Sequence, residues 1–511
     1  MPELMANSPN FIGRCYDVAS GCVPMRLVVN SGAVIQNPLT KVPYKWVVAS
    51  VFVMALFIDI VDLTAVNVSL VSMSSAFKAS VATTTWVVLG YSLSLAVWIP
   101  VSGWVGDRFG TKHTFMFALS IFIGASLMCS EASSINMLIA SRFAQGVGGG
   151  MLTPVGITLL FRAFPPEERA RASSILSIPT VAAPALGPVL GGYLTDNFGW
   201  RWIFRINLPI GILALLIAWF GLRDERSDGN QTFDLVGFVL AAIGFPAAVY
   251  ALERGAEEGW GSGRILGLAG VAVLALTSLV VWSLRAKAPM LALGLLKERL
   301  FRTTNIVSYV STMSFLGLVF LLPQFLQRVA GHTATQAGLA TFPQAIGAMI
   351  MSRFAGRLYP KLGPRKMLTI AYVGMAIVTA YFLRLSVDMS DWEIRAIMFI
   401  RGFFLAMSFI PLQAASYARI SPADTGRASA IYSTQRQLGN ATGVAVVSTV
   451  LLSAIPAAFP RGFTKIPPDQ VAGFTNAFRI AIAVTIGFIL LAAALSTRIH
   501  DSDAAATIRR P

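Results

Sequence analysis

Long apolar segments separated by short polar links occupy most of this 511-residue chain. About fourteen of them reach the roughly 18 residues needed to cross about 30 Å of hydrocarbon. They begin near Lys45, Thr84, Thr114, Ile135, Ala172, Trp202, Phe233, Arg264, Thr303, Ala334, Met367, Ile394, Ala428 and Asn476. Segments this long and this apolar predict membrane helices, and hence an all-α integral membrane protein. The polar links also repeat. "RASSILS" begins at Arg171 and "RASAIYS" at Arg427; "GDRFGTKH" runs from Gly106 to His113 and "YPKLGPRK" from Tyr359 to Lys366. The separations, 256 and 253 positions (427 − 171 and 366 − 113), agree to within a loop length. Six spans in 45–221 therefore match six in 303–497. Two further helices lie in 222–302, and 1–44 and 498–511 read as tails.

Composition agrees with this reading: 55% of the residues are hydrophobic, 13% are charged and the mean hydropathy is +0.68. The net charge of +16 raises nucleic-acid binding as a function, but the basic residues sit in alternate links and not on the face of a soluble domain. Arg108 and Lys112, then Arg162, Arg169 and Arg171, then Arg285, Lys287, Lys297, Arg299 and Arg302, then Arg353, Arg357, Lys361, Arg365 and Lys366 mark one side. The links between them offer Lys78, Glu131, and Arg254 among Glu253, Glu257 and Glu258. The positive-inside rule then places both termini in the cytoplasm and the chain in a bacterial inner membrane. Cys15 and Cys22 fall in the first tail and give no disulfide framework. That tail has no signal-peptide core and reads as disordered, or as a start codon placed too early. His113, His332 and His500 are scattered, so no metal set is expected. No phosphate-binding GxxxxGK[ST] loop appears, which argues against an ATP-driven pump, and no cofactor is implied.

Five stretches carry a family resemblance: "VDLTAVNVSL", "GWVGDRFGTKH", "RFAQGVGGGMLTP", "GPVLGGYLTDNFGWRWIFRINLPIG" and "LLPQFLQRVAGHTATQAGLA". Together they resemble the major facilitator superfamily and, within it, the fourteen-span drug:proton antiporters of the EmrB/QacA type. The resemblance implies two pseudo-symmetric six-helix bundles with an inserted helical pair. The sequence departs from the pattern at Val71, where the family's motif ends in proline, and at Pro360, which stands opposite Asp107 and leaves the second loop copy without an acid. The link from Ile455 to Phe474 is short for an EmrB-type member, which speaks against a periplasmic adaptor.

Ionisable groups at membrane depth cost about 2.5 to 3.5 kcal/mol and are functional candidates. Asp59 and Asp62 lie three residues apart on the first span and share a face. Desolvation and mutual repulsion would let one of them change protonation near neutral pH, as proton coupling requires; the alternative is a carboxyl that bonds a neighbouring helix and never titrates. Helix rise places Arg142 on the fourth span at nearly the depth of Asp62. The family motif implies a role for this arginine in proton exchange, with a fixed ion pair as the alternative. Gly187, Pro188, Gly191 and Gly192 resemble the antiporter signature, and small residues with proline also suit tight, bent helix packing. The resemblance further implies an inner gate built from Gly103, Gly106, Asp107, Arg108, Gly110 and Lys112. Asp107 would face Arg427 and Ser429 at the other half's "RAS" helix start, and Lys361 and Arg365 would meet Glu167 and Glu168, giving a pair of inner latches; the alternative is that these residues only fix loop topology. Trp86, Tyr91, Phe342, Phe403 and Phe404, with the amides of Gln344, Gln413 and Gln435, are candidates for an apolar substrate cavity; each can equally face lipid or pack internally. Arg401 and Arg436 also fall inside predicted spans.

The leading expectation is a proton-coupled exporter of lipophilic or cationic small molecules, working as a monomer and without catalytic chemistry. A specific exporter of a metabolite such as a siderophore, sugar or amino acid is the alternative of the same fold. A membrane sensor or lipid-processing enzyme is the remote one, since no nucleophile elbow or soluble domain is present.

Overall fold

The computed structural model describes residues 42–223, 232–455 and 470–508. Cys15, Cys22 and the rest of the expected N-terminal tail up to residue 41 lie outside the described residues, as does most of the Ile455–Phe474 link. Helices follow the apolar segments in order: α1 (Tyr44–Phe77), α2 (Val81–Phe109), α3 (Thr111–Ser130), α4 (Ile135–Ala163), α5 (Arg169–Phe198), a short α6 (Trp202–Arg205) and α7 (Asn207–Gly221). The inserted pair is α8 (Leu235–Glu258) and α9 (Gly263–Arg285). The second half holds α10 (Arg299–Arg328), α11 (Ala334–Thr341), α12 (Pro343–Ala380), α13 (Asp391–Ser416), α14 (Thr425–Ala454), α15 (Val471–Ser496) and a terminal turn, α16 (Ala505–Ile508).

The ends of these helices are written in local chemistry. Ser80, Ser134, Ser262 and Ser390 each stand just before a helix and accept a backbone N–H of its first turn. Thr333 and Gln336 close a reciprocal box at α11. Gly110 at φ 89° ends α2 and starts α3, and Gly363 at φ 72° breaks α12 at the corresponding place. Only glycine adopts that left-handed backbone freely, so the two loop copies turn the chain by the same device. Among the described residues, twelve helical stretches are long and apolar enough to cross a bilayer, thirteen with the pair bent by 43° within α5. The fifty-residue stretch Thr335–Arg384 is two helices in series across Gly363, and a total of fourteen is consistent with that division.

The halves pack alike. In the first, α1 lies on α5 and α7, and α2 on α4; in the second, α10 lies on α14 and α15, and α12 on α13. The halves meet where α5 runs along α12 and α13 and where α14 runs along α2 and α4. The α8–α9 hairpin leans on α2 and α14, bridging one side of this seam. The loop ends at Gly110, Arg169, Arg299, Gly363 and Thr425 share one end of the bundle, called the basic face below.

Candidate functional site

Three donors converge on Asp62, which is 0% exposed on α1. Arg142 of α4 donates to Oδ2 at 2.5 Å, while Gln145 Nε2 and Asn207 Nδ2 donate to Oδ1, each at 3.0 Å. Arg142, also 0% exposed, spends its Nε on the Val87 carbonyl at 2.9 Å and lies 4.3 Å over the Tyr91 ring. A buried charge persists only when paired and hydrogen-bonded; the Asp62 carboxylate meets that condition on both oxygens, while Arg142 Nη2 is buried without a hydrogen-bond partner among the described residues. Asp59, one turn earlier, points elsewhere: its Oδ1 accepts the Tyr91 hydroxyl, and the residue as a whole is half-buried where Asp62 is sealed. The two carboxyls expected to share a face thus have separate partners on α4 and α2. Sequence reasoning does not single out Gln145 and Asn207, although both stand inside quoted stretches, three residues after Arg142 and two after Arg205.

The glycines of α5 press against the same part of α1. A Cβ on Gly187 would run into Thr64 Oγ1, and one on Gly191 would stand 2.8 Å from the Ala65 carbonyl oxygen. Gly192 faces Thr335 of α11, and Pro188 is half-buried. The backbone of α5 therefore lies two to three residues from Asp62. Adding one methyl in Gly191→Ala forces backbone apart and is expected to destabilise the fold by about 1–3 kcal/mol and to lower transport, read by thermal unfolding in detergent beside a vesicle flux assay.

At the basic face Asp107 lies 3.8 Å from Arg427 Nε and 3.5 Å from Arg162 Nη2. The backbones close in beside it: a Cβ on Gly103 would be 3.0 Å from the Gly426 carbonyl oxygen. Gly106 and Gly110 are buried, Arg108 is exposed, Lys112 donates to the Trp219 carbonyl at 2.8 Å, and Ser429 is buried one turn from Gly426. The opposite latch differs from expectation. Glu168 pairs with Lys45 at 2.7 Å, Glu167 and the Lys361 and Arg365 side chains are exposed, and no Lys361 or Arg365 ion pair with these acids forms among the described residues. The physical reason is proximity: Lys45 begins α1 beside the turn, and its ammonium takes the carboxylate first.

A model of the Major Facilitator Superfamily matches residues 52–444. The chain belongs to that superfamily. The transporter is 35% identical over 404 residues to the multidrug export protein EmrB of Escherichia coli strain K12, covering 78% of each chain. It is 32% identical over 415 residues to the fatty acid resistance protein FarB of Neisseria gonorrhoeae, covering 81% and 82%. Its fold resembles that of the proton:xylose symporter XylE, with a TM-score of 0.58 at 15% identity over 88% of this chain and 94% of that one. It is a multi-pass membrane protein of the EmrB type.

The transporter's candidate cavity residues divide. Phe403 and Phe404 are half-buried, packed against Gly347 and Gly374 of α12, and Phe342 is half-buried beside the second core. Gln435 is half-buried and donates to Ser308 at 3.0 Å. The others do not line an open wall. Tyr91 is 0% exposed and serves Asp59 and Arg142; the Trp86 ring lies tilted against that of Tyr250 of the inserted pair, 5.9 Å between centroids; Gln344 is buried; Gln413 is 0% exposed. Gln344 accepts from Arg401 Nη1 at 2.5 Å, so the second half buries its arginine against an amide where the first half uses a carboxylate. Arg436 lies 5.6 Å from the Phe409 ring.

Proposed function

We propose that this transporter exports lipophilic or cationic small molecules in exchange for protons, by alternating access. The observation that carries the reading is that a half-buried aspartate held by a neutral hydroxyl, Asp59, stands one turn along the same helix from a sealed carboxylate–guanidinium pair, Asp62–Arg142. Asp59 is the group a proton can reach, and Asp62–Arg142 is the fixed charge that senses it. A proton on Asp59 removes the anion that a cationic substrate would meet, so proton and substrate exclude each other, which is the condition for antiport. The names of EmrB and FarB support lipophilic cargo, since drugs and fatty acids share an apolar body more than a charge.

Alternating access is supported by contacts between the halves toward both faces: Gly103 against Gly426 at the basic face, and Gly338 of α11 against Val189 of α5 toward the other. Each set must open while the other stays closed. In this reading that face and both termini lie in the cytoplasm of a bacterial inner membrane, which the positive-inside pattern of the basic links supports. The transporter works as a monomer and without an adaptor.

A dye panel offered to everted vesicles, with and without an imposed proton gradient, tests this. Wild-type protein is expected to accumulate several lipophilic dyes only with the gradient. Asp59→Asn keeps an acceptor for Tyr91 and should fold normally, yet lose gradient-driven accumulation while retaining dye exchange down its own gradient. Gradient-driven accumulation by Asp59→Asn at the wild-type rate would remove Asp59 from the coupling role; accumulation of a single metabolite and no dye would favour the specific exporter.

A further inference from the structure

The second loop copy lacks the acid that Asp107 supplies to the first, and Pro360 takes its place. The structure brings an acid to that loop from elsewhere. After α15 the chain does not trail away: Ile499 is 1% exposed and Ala504 0%, and both join the apolar core of the second half. Between them Asp501 Oδ1 accepts the Arg365 N–H at 2.9 Å, where the helix resumes after the Gly363 break. A Cβ on Gly363 would stand 2.7 Å from Asp501 Cγ, so the glycine also makes room for the carboxylate.

The same segment is tied on every side. Asp503 accepts Arg419 Nη2 at 2.8 Å, and its carbonyl accepts Arg419 Nε at 3.0 Å, which fastens it to the link between α13 and α14. The Thr507 hydroxyl meets that of Tyr359 at 2.7 Å, both side chains buried. Tyr359 stands opposite Gly106 in the repeat alignment. The last turn, α16, packs on the Pro166–Glu168 turn just before α5, and so on the first half of the protein. In the first latch, the loop of one half touches the helix start of the other directly through Asp107 and Arg427. At the second, the loop has no acid to offer, and residues 498–508 lie between the loop and the turn before α5.

We propose that residues 498–508 form a further contact between the halves at the basic face, beside those that Arg169 and Arg162 make directly with the Tyr417 and Pro422 carbonyls, with Asp501 as the positioning residue that holds the Gly363–Arg365 turn in place of the missing loop acid. Two consequences follow from the geometry. The segment moves with the second half, to which it is fastened by Arg365, Arg419 and Tyr359, and it parts from the Pro166–Glu168 turn whenever the basic face opens. Loss of the Asp501 acceptor frees the Arg365 N–H and lets the loop drift from the register in which α16 meets that turn. This rests on the alternating-access reading, and the test separates the two.

In a background with Cys15, Cys22 and Cys129 replaced by serine, two cysteine pairs are compared. Ser174→Cys with Gly356→Cys joins the halves directly, since a Cβ on Gly356 lies 3.5 Å from Ser174 Oγ. Glu167→Cys with Ala505→Cys joins the turn before α5 to α16. Each is treated with a short reducible cross-linker and assayed for dye flux before and after reduction. Both cross-links are expected to form, to cut flux about tenfold or more, and to release it on reduction. Blockade by 174–356 with full flux through the 167–505 cross-link, or with no 167–505 product, overturns the proposal and leaves alternating access standing. Full flux through a 174–356 cross-link overturns alternating access itself.

Asp501→Ala is expected to slow 167–505 cross-linking and lower maximal flux by about fivefold, with dye affinity within about twofold of the parent. Asp501→Asn, which still accepts the Arg365 N–H, should retain both. An alanine variant that cross-links and transports like the parent removes Asp501 from this role.

Discussion

Replacing Asp62 by asparagine is expected to stop gradient-driven efflux and to weaken the fold together. The carboxylate accepts from three side chains, two on Oδ1 and one on Oδ2. An amide can keep Gln145 and Asn207 on its oxygen, but its nitrogen then presents hydrogens to the Arg142 guanidinium, donor against donor. Arg142 would be left charged with no accessible surface, and removing one partner of such a pair costs about 3–5 kcal/mol. The reciprocal Arg142→Gln strands the carboxylate and should cost as much. The double variant decides what the pair is for. With both charges gone nothing is stranded, so the melting temperature in detergent should recover most of its loss, while gradient-driven dye accumulation in everted vesicles should stay absent. Recovery of accumulation along with stability would make Asp62–Arg142 a structural ion pair only.

That pair is legible in the sequence because helix rise is regular: counting residues from the ends of α1 and α4 gives depth, and the two charges fall at one depth. Counting does not give rotation. Asp59 and Asp62 differ by three residues, and only the packed neighbours show that one meets Tyr91 on α2 and the other Arg142 on α4. Gln145 is within reach of the same argument, lying one turn from Arg142 on the same helix. Asn207 is not, because α6 is a four-residue turn before α7 and shifts the register of the span that carries it. The division into halves is written in the repeated links, which turn the chain by glycines at matching places. The second latch departs from expectation for a reason of the same kind. Its expected partners come from within the repeat, whereas Lys45 and residues 498–508, both outside the repeated loops, occupy the positions around Glu168 and Gly363. Pairing by symmetry fails where segments outside the repeat are close enough to compete.

The first latch yields the other large effect. Asp107→Arg places a guanidinium among Arg162 and Arg427, beside a backbone approach at Gly103 and Gly426 too close to yield room. Three like charges in a largely buried site oppose closure, and a change of about 3 kcal/mol shifts the balance between closed and open by a factor of roughly 100. Transport should fall to background because the basic face no longer closes, and a cysteine at position 174 should become reactive to a membrane-impermeant maleimide added from that face. Adding Arg427→Asp returns one carboxylate to the site with the ion pair reversed. The recovery is expected to be partial, since the carboxylate gained at the start of α14 is favoured by the helix dipole while the guanidinium gained at the end of α2 still faces Arg162. Arg427→Asp alone sets two carboxylates together, though Arg162 remains to neutralise one, and should cost less than Asp107→Arg. The order expected in dye flux is therefore wild type, then Arg427→Asp and the reversed pair, then Asp107→Arg. A reversed pair no better than Asp107→Arg, with unchanged maleimide reactivity in both, would mean that Asp107 shapes its loop and does not hold the two halves together.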